Sequence, residues 1–192
     1  MPAIEPTRPA TEVALAARLA ADLEAHFEEL VVAHQDRLYA FLYGMTGDGG
    51  QAEDLAQETF WKAYRALRRY PAPRVSALRL GPWLRRIALN TLRNAVRRRH
   101  PEQALMAEPP QQADPEPDHN PEVLILRRQE GERLLRALAT ISTPARAAIL
   151  LRHAEDLPVE EVAAILQVPE GTVKSHVHRG LARLRQVLEE ES

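Results

Sequence analysis

Cysteine is absent from the 192 residues. That excludes disulfides, thiolate metal sites and any cysteine-based redox switch, and an uncrosslinked chain fits a reducing cytoplasm. Aromatic side chains are scarce at 5%, although apolar residues reach 45%, enough for small cores. No run approaches the roughly 20 apolar residues that a spanning helix needs. The N-terminus carries Glu5, Glu12, Asp22 and Glu24 without an apolar core segment, so it does not read as a signal peptide. No membrane insertion is expected, and the product is expected in the cytoplasm. An excess of positive charge is also missing. Twenty-five Lys and Arg face 27 Asp and Glu, for a net charge of −2, an average that by itself argues against nucleic-acid binding.

The catalytic signatures are missing too. There is no phosphate-binding glycine loop, metalloprotease helix or nucleophile elbow. His176 and His178 stand two apart on a helical pattern and point roughly 200° away from each other, so they cannot share a metal. His34 and His153 are isolated. No cofactor, metal or enzymatic activity is expected.

What is present is helical periodicity. Residues 1 to 10 hold three prolines and read as a loose tail. Helical composition starts at Thr11. Phe27, Leu30, Val31, His34, Leu38, Phe41 and Leu42 fall on one stripe. The glycines at 44, 47, 49 and 50 break that helix. A second helix is predicted over 51–69, an irregular stretch from Pro71 to Pro82, and a third helix over 83–99. Residues 101–122 then carry six prolines and six acids but no Lys or Arg, a composition too polar to fold alone. Helical pattern resumes at Val123, with interruptions at Ser142–Pro144, Asp156–Pro158 and Val168–Gly171. No strand pattern appears. The predicted fold is all-α: two small helical domains, 26–100 and 123–192, joined by a flexible acidic linker over 101–122, with an N-terminal extension over 1–25.

The charge is sorted along the chain. From Lys62 to His100 there are twelve Lys or Arg and no Asp or Glu. In the helix from Trp83, Leu84, Ile87, Ala88, Thr91, Leu92 and Ala95 form the inward stripe. Arg86, Asn90, Arg93 and Arg97 recur at spacings of four, three and four on the opposite side. Guanidinium groups can grip phosphates, and Asn90 can hydrogen-bond a base. Trp83 either stacks on a base or closes the core. Near the C-terminus, Val159, Val162, Ala163 and Leu166 mark a short helix, and Val168-Pro169-Glu170-Gly171 is predicted to form a tight turn. Val173, Val177, Leu181, Leu184 and Leu188 then line the inside of the next helix. This is a helix–turn–helix pattern. Its second helix turns Ser175, His178, Arg179, Ala182 and Arg183 outward, flanked by Lys174.

Three segments resemble a known family. Ala52-Glu53-Asp54-Leu55-Ala56-Gln57-Glu58-Thr59-Phe60 resembles a segment of region 2 of the sigma-70 family. Trp83-Leu84-Arg85-Arg86-Ile87-Ala88-Leu89-Asn90 resembles a segment of the extracytoplasmic-function (ECF) sigma factors. Leu157-Pro158-Val159-Glu160-Glu161-Val162-Ala163, with Val168-Pro169-Glu170-Gly171-Thr172-Val173-Lys174-Ser175, resembles their region 4 helix–turn–helix. The matches follow the family's order.

The resemblance implies roles. Asp54, Gln57 and Glu58, with Leu55 beside them, would dock on core RNA polymerase. Arg86, Ile87 and Asn90, joined by Trp83, Arg93 and Arg97, would contact the −10 promoter element as its strands separate. Lys174, Ser175 and Arg179 would meet the −35 duplex, and the outward face read above adds His178 and Arg183, with Thr172 completing the expected set. The acidic linker would thread through the polymerase, and an anti-sigma factor would hold the protein inactive. The chain departs from the family at Asn94, often Asp, and at His176, often Arg. Gly180 inside a helix costs roughly 1 kcal/mol relative to alanine. A free-standing helix–turn–helix regulator is the competing reading, but it has no use for the segment 52–60.

Overall fold

The structure, a computed structural model, describes residues 9–99 and 121–190, with side chains over 11–98 and 130–190. The acidic linker, apart from its last two residues, and the proline-rich tail up to residue 8 lie outside the described residues. Among those described, secondary structure is entirely helical. The helices are α1 (Pro9–Ala21), α2 (Leu23–Thr46), α3 (Gly49–Leu67), α4 (Ala72–Ser76), α5 (Leu80–Arg99), α6 (Pro121–Ala139), α7 (Thr143–Ile149), α8 (Val159–Leu166) and α9 (Glu170–Glu190). They belong to two compact units. One comprises the described parts of Met1–Tyr39 and Asp54–Pro101, the other Ala40–Glu53 with those of Glu102–Ser192.

In the first unit, α1 is part of the core. It buries Leu15, Ala16 and Leu19 and packs against α4. Each fully buried leucine contributes about 1.5–3 kcal/mol. Asp22 caps α2, its Oδ1 accepting the Ala25 N–H at 3.0 Å. The stripe expected on α2 is buried at Leu30, His34 and Leu38. On α3, Leu55, Thr59, Phe60, Ala63 and Leu67 face inward, and Phe27 meets Tyr64 edge-on at 5.0 Å between centroids.

The stretch from Pro71 to Pro82 is more ordered than expected. It holds α4, and α5 begins at Leu80, three residues ahead of Trp83. Pro82 occupies the third position of α5. An N–H there would have no partner within the helix, so proline is tolerated. Leu84, Ala88, Thr91 and Leu92 are buried as the spacing required.

In the second unit, Gly47 takes a φ of 71° to end α2, a conformation open to glycine without a Cβ penalty. Asp48 Oδ1 then accepts the Gln51 N–H at 2.8 Å and starts α3. Arg146 Nη2 donates to the carbonyls of Ala139 and Ile141 at 3.0 and 3.2 Å, satisfying the open C-terminus of α6. After α7 the chain widens into a π-helical turn over Leu150–Ala154. Leu138, Ile141, Ala145 and Ile149 form a core that Leu150, Leu181 and Leu184 close.

The turn before α9 is built differently from the expectation. Its left-handed residue is Gln167 (φ 60°, ψ 44°), and the Val168 N–H closes it on the Ala163 carbonyl at 3.2 Å. Gly171 lies inside α9. Gly180 is a packing residue. A Cβ there would stand 2.5 Å from Ile149 Cδ1 and 3.4 Å from Ala145 Cβ, so the helix-propensity cost is tied to close contact with α7.

Candidate nucleic-acid interface

The exposed side of α5 carries Arg86, Asn90, Arg93 and Arg97, all open to solvent. Arg93 Nη1 donates to Asn90 Oδ1 at 3.3 Å, and Arg97 Nη2 to Asn94 Oδ1 at 3.3 Å. The row therefore alternates guanidinium and amide along about three turns, a surface suited to phosphates with an intervening base contact. Ile87 is half-buried beneath it. Trp83 is also half-buried. Its ring centroid lies 6.3 Å from that of Tyr70, and Arg74 sits 3.8 Å over the Tyr70 ring. Trp83 thus packs at the helix start while keeping part of its surface open.

Among the described cations of the segment from Lys62 to His100, one is buried within the core. Arg85 is 2% exposed, because position 85 shares its side of α5 with Leu89 and Leu92. Buried near it is His34, 3% exposed, whose Nε2 lies 3.8 Å from Glu12 Oε1. Burial, then the charges of Arg85 and Arg37, lower the His34 pKa from 6.5 to about 4. The effect of the two arginines and the apolar surroundings outweighs the carboxylate.

On α3, Asp54 and Gln57 are exposed and Glu58 is half-buried. Glu58 joins α3 to α5. Its carboxylate takes Lys62 Nζ at 2.8 Å and Arg98 Nη2 at 3.3 Å, while Lys62 Nζ also donates to Thr91 Oγ1 at 3.1 Å. The Lys62 hydrogen bond holds the Glu58 carboxyl below the ordinary range, against partial burial that pushes it up, with the Lys62 and Arg98 charges adding to the depression. Leu55 is 3% exposed. It supports this face from within the core and does not lie on it, a correction to the expected docking set that follows from its place on the apolar stripe of α3.

On α9, Lys174, Ser175, His178, Arg179 and Arg183 are exposed and Thr172 is half-buried. Val173 and Gly180 are buried on the opposite side, and Val177, Leu181 and Leu184 are half-buried. Arg179 Nε donates to the Ser175 carbonyl at 3.3 Å, and Arg183 Nη1 to Gln186 Oε1 at 3.1 Å. The N-terminal turn of α9 is exposed at Glu170 and Gly171, leaving it open to enter a groove. Among the described residues no group of three or more His, Cys, Asp or Glu is placed to hold a metal ion, and no helix is long and apolar enough to cross a membrane.

Spacing alone missed Glu12, Arg85 and the bridging role of Glu58. Arg85 carried a detectable signal, its seven-residue offset from Leu92. Glu12 carried none, since its partner is 69 residues away.

Two family models match the chain, one over the segment that holds α3 and α5 and one over the segment that holds most of α9. Residues 30–102 match sigma-70 region 2, and residues 131–184 match sigma-70 region 4. The chain is 37% identical over 168 residues to the ECF RNA polymerase sigma factor SigE of Mycolicibacterium smegmatis, covering 86% of this chain but only 63% of that relative's length. It is 35% identical over 168 residues to the RNA polymerase sigma factor CarQ of Myxococcus xanthus, covering 85% of this chain and 90% of the relative. Among solved structures, the sigma factor RpoE in complex with the anti-sigma factor NepR, from Bartonella quintana, superposes with a TM-score of 0.67 at 26% identity, covering 85% of this chain and 96% of that one.

Proposed function

This chain belongs to the sigma-70 family as a factor of the ECF type, and from that premise we propose that it brings core RNA polymerase to promoters by reading the −10 element with α5 and the −35 element with α9. The polymerase supplies the chemistry; the chain supplies address and strand capture. Residues 26–100 act as the region 2 domain and 123–192 as the region 4 domain, with 101–122 as the tether between them. The site of action is the cytoplasm, where the polymerase works.

On α5, Arg86, Arg93 and Arg97 hold phosphates of the opened strand, while Asn90, Ile87 and Trp83 meet its bases by hydrogen bonding and stacking. On α9, Lys174, Ser175, His178 and Arg179 approach base edges near the helix N-terminus, with Arg183 on the backbone and Thr172 at the entrance. Asp54, Gln57 and Glu58 offer an acidic face to a basic helix of the polymerase, and Leu55 fixes their helix from behind. An anti-sigma factor is the expected regulator. The support is the RpoE–NepR complex, whose sigma factor shares this fold.

The observation that carries the reading is the pair of solvent-facing cationic helices, one in each family-matched segment of a chain whose net charge is −2. With so little net attraction, the isolated chain should bind promoter DNA weakly until polymerase sets the spacing of the two faces. Reconstitution tests this. The protein should co-purify with core polymerase and direct initiation from promoters selected out of a randomised library. Failure to bind core, or tight promoter binding by the chain alone, would overturn it.

A further inference from the structure

The N-terminal helix lies outside both family-matched segments, which begin at residue 30, yet it reaches the helix assigned to −10 reading. The last residues before α5 are Ser76, Ala77, Leu78 and Arg79. The first helical bond runs from the Trp83 N–H to the Arg79 carbonyl at 3.0 Å, which makes Arg79 the cap position. An arginine side chain has no acceptor with which to cap a helix start. Pro82 removes one of the open N–H groups, and Gly81 still presents another. Its N–H donates to Glu12 Oε1 of α1 at 3.0 Å.

The cap of α5 is thus supplied from 69 residues away. The carboxylate also places negative charge at the positive end of a 20-residue helix. Its approach depends on the residue it caps. A Cβ on Gly81 would stand 3.0 Å from the same Oε1, tighter than ordinary contact. Behind the carboxylate, α1 is fixed by Leu15, Ala16 and Leu19 in the core, by packing on α4, and by Arg18 paired with Glu29 of α2 at 2.5 Å.

We infer that α1 is a strut for promoter reading and that Glu12 is a positioning residue, setting the start of α5 and with it the placement of Trp83, Arg86 and Asn90 against the opened −10 strand. This rests on the assignment of α5 to that strand.

The test uses holoenzyme. Its probe is the single-stranded oligonucleotide that wild-type holoenzyme selects from a randomised pool, compared with the scrambled sequence. Glu12→Ala should reduce the preference for the selected strand by about tenfold, the size expected for a lost cap. Core affinity should remain near wild type, and the melting temperature should fall by no more than the few degrees that a lost cap costs. Glu12→Gln, which keeps an acceptor oxygen, should restore most of the preference. Gly81→Ala should lose part of it by displacing the carboxylate. The inference is overturned if Glu12→Ala keeps the preference, if Glu12→Gln fails as badly as alanine, or if core affinity and both strands are lost in parallel. Arg86→Ala separates the two claims. If it loses the preference and Glu12→Ala does not, only the strut is wrong. If neither loses it, the assignment of α5 falls and the strut with it.

Discussion

The helices α5 and α9 are both long, amphipathic and cationic on their exposed side, but they offer different parts of themselves. The start of α5 is closed. Its first turn is capped from α1, Leu80 is buried, and Trp83 packs on Tyr70. Only its flank is available, and that flank is a row of three arginines and an asparagine. The start of α9 is open, with Glu170, Gly171, Lys174 and Ser175 exposed. A helix read by its end suits the major groove of a duplex. A helix read along its side suits a strand lying across it. If α5 and α9 read promoter DNA as proposed, similar charge serves two kinds of nucleic acid, and how each helix begins decides between them.

The largest expected effect breaks the α5 side of this comparison. Arg86→Ala combined with Asn90→Ala should reduce open-complex formation by about two orders of magnitude, from two contacts of about 1–3 kcal/mol each, without changing core affinity. Permanganate footprinting of the −10 region reads the outcome, and normal opening would remove α5 from the interface.

A second measurement separates the two units by pH. His34 has its pKa lowered from 6.5 to about 4 in the folded protein. The unfolded chain therefore takes up the proton first. The contribution is fully present above pH 6.5 and is lost as the pH falls toward 4, by up to about 3 kcal/mol. Thermal melts of the intact protein between pH 7 and pH 4.5 should show this loss in the unit that contains α5, and His34→Leu should flatten it. An unchanged slope in His34→Leu would assign the acid sensitivity to other groups.

The α9 side is tested by Lys174→Ala and Arg179→Ala. Each should weaken binding of holoenzyme to −35 duplex by about 1–3 kcal/mol if the contact is to a base. An equal loss on random duplex would make the contact a phosphate one. Gly180→Val should destabilise the second unit by about 1–3 kcal/mol through overpacking against Ile149 and Ala145, as measured by denaturant melts. A neutral result would mean that α7 and α9 can move apart.

Much of this arrangement was legible in the sequence, and the reasons for the rest are physical. The buried Leu84, Ala88 and Leu92 and the exposed Arg86, Asn90 and Arg93 follow from a period of 3.6. Arg85 obeys the same period, but its charge reads as a surface residue when type is weighed before position. Pro82 reads as a helix boundary, although a proline in the first turn removes a donor that had no partner. Gly180 reads as a defect because Ile149, which explains it, lies on another helix. Glu12 is the extreme case. Neither its type nor its spacing shows a bond closed across 69 residues, and only the folded chain brings the two ends together.

Short α8 sits between two joints of one kind. Asp156 before it has a φ of 52° and Gln167 after it a φ of 60°, both in the left-handed region where residues with a Cβ are disfavoured by roughly 1–2 kcal/mol. The helix–turn–helix therefore operates below the stability its backbone permits, and these joints are places where a protein engineer can raise it. Gln167→Asn or Gln167→Gly should lift the melting temperature by a few degrees at most, since glycine returns part of the gain as unfolded-chain entropy. A thermostable variant designed this way would leave every α9 side chain assigned to the −35 element unchanged.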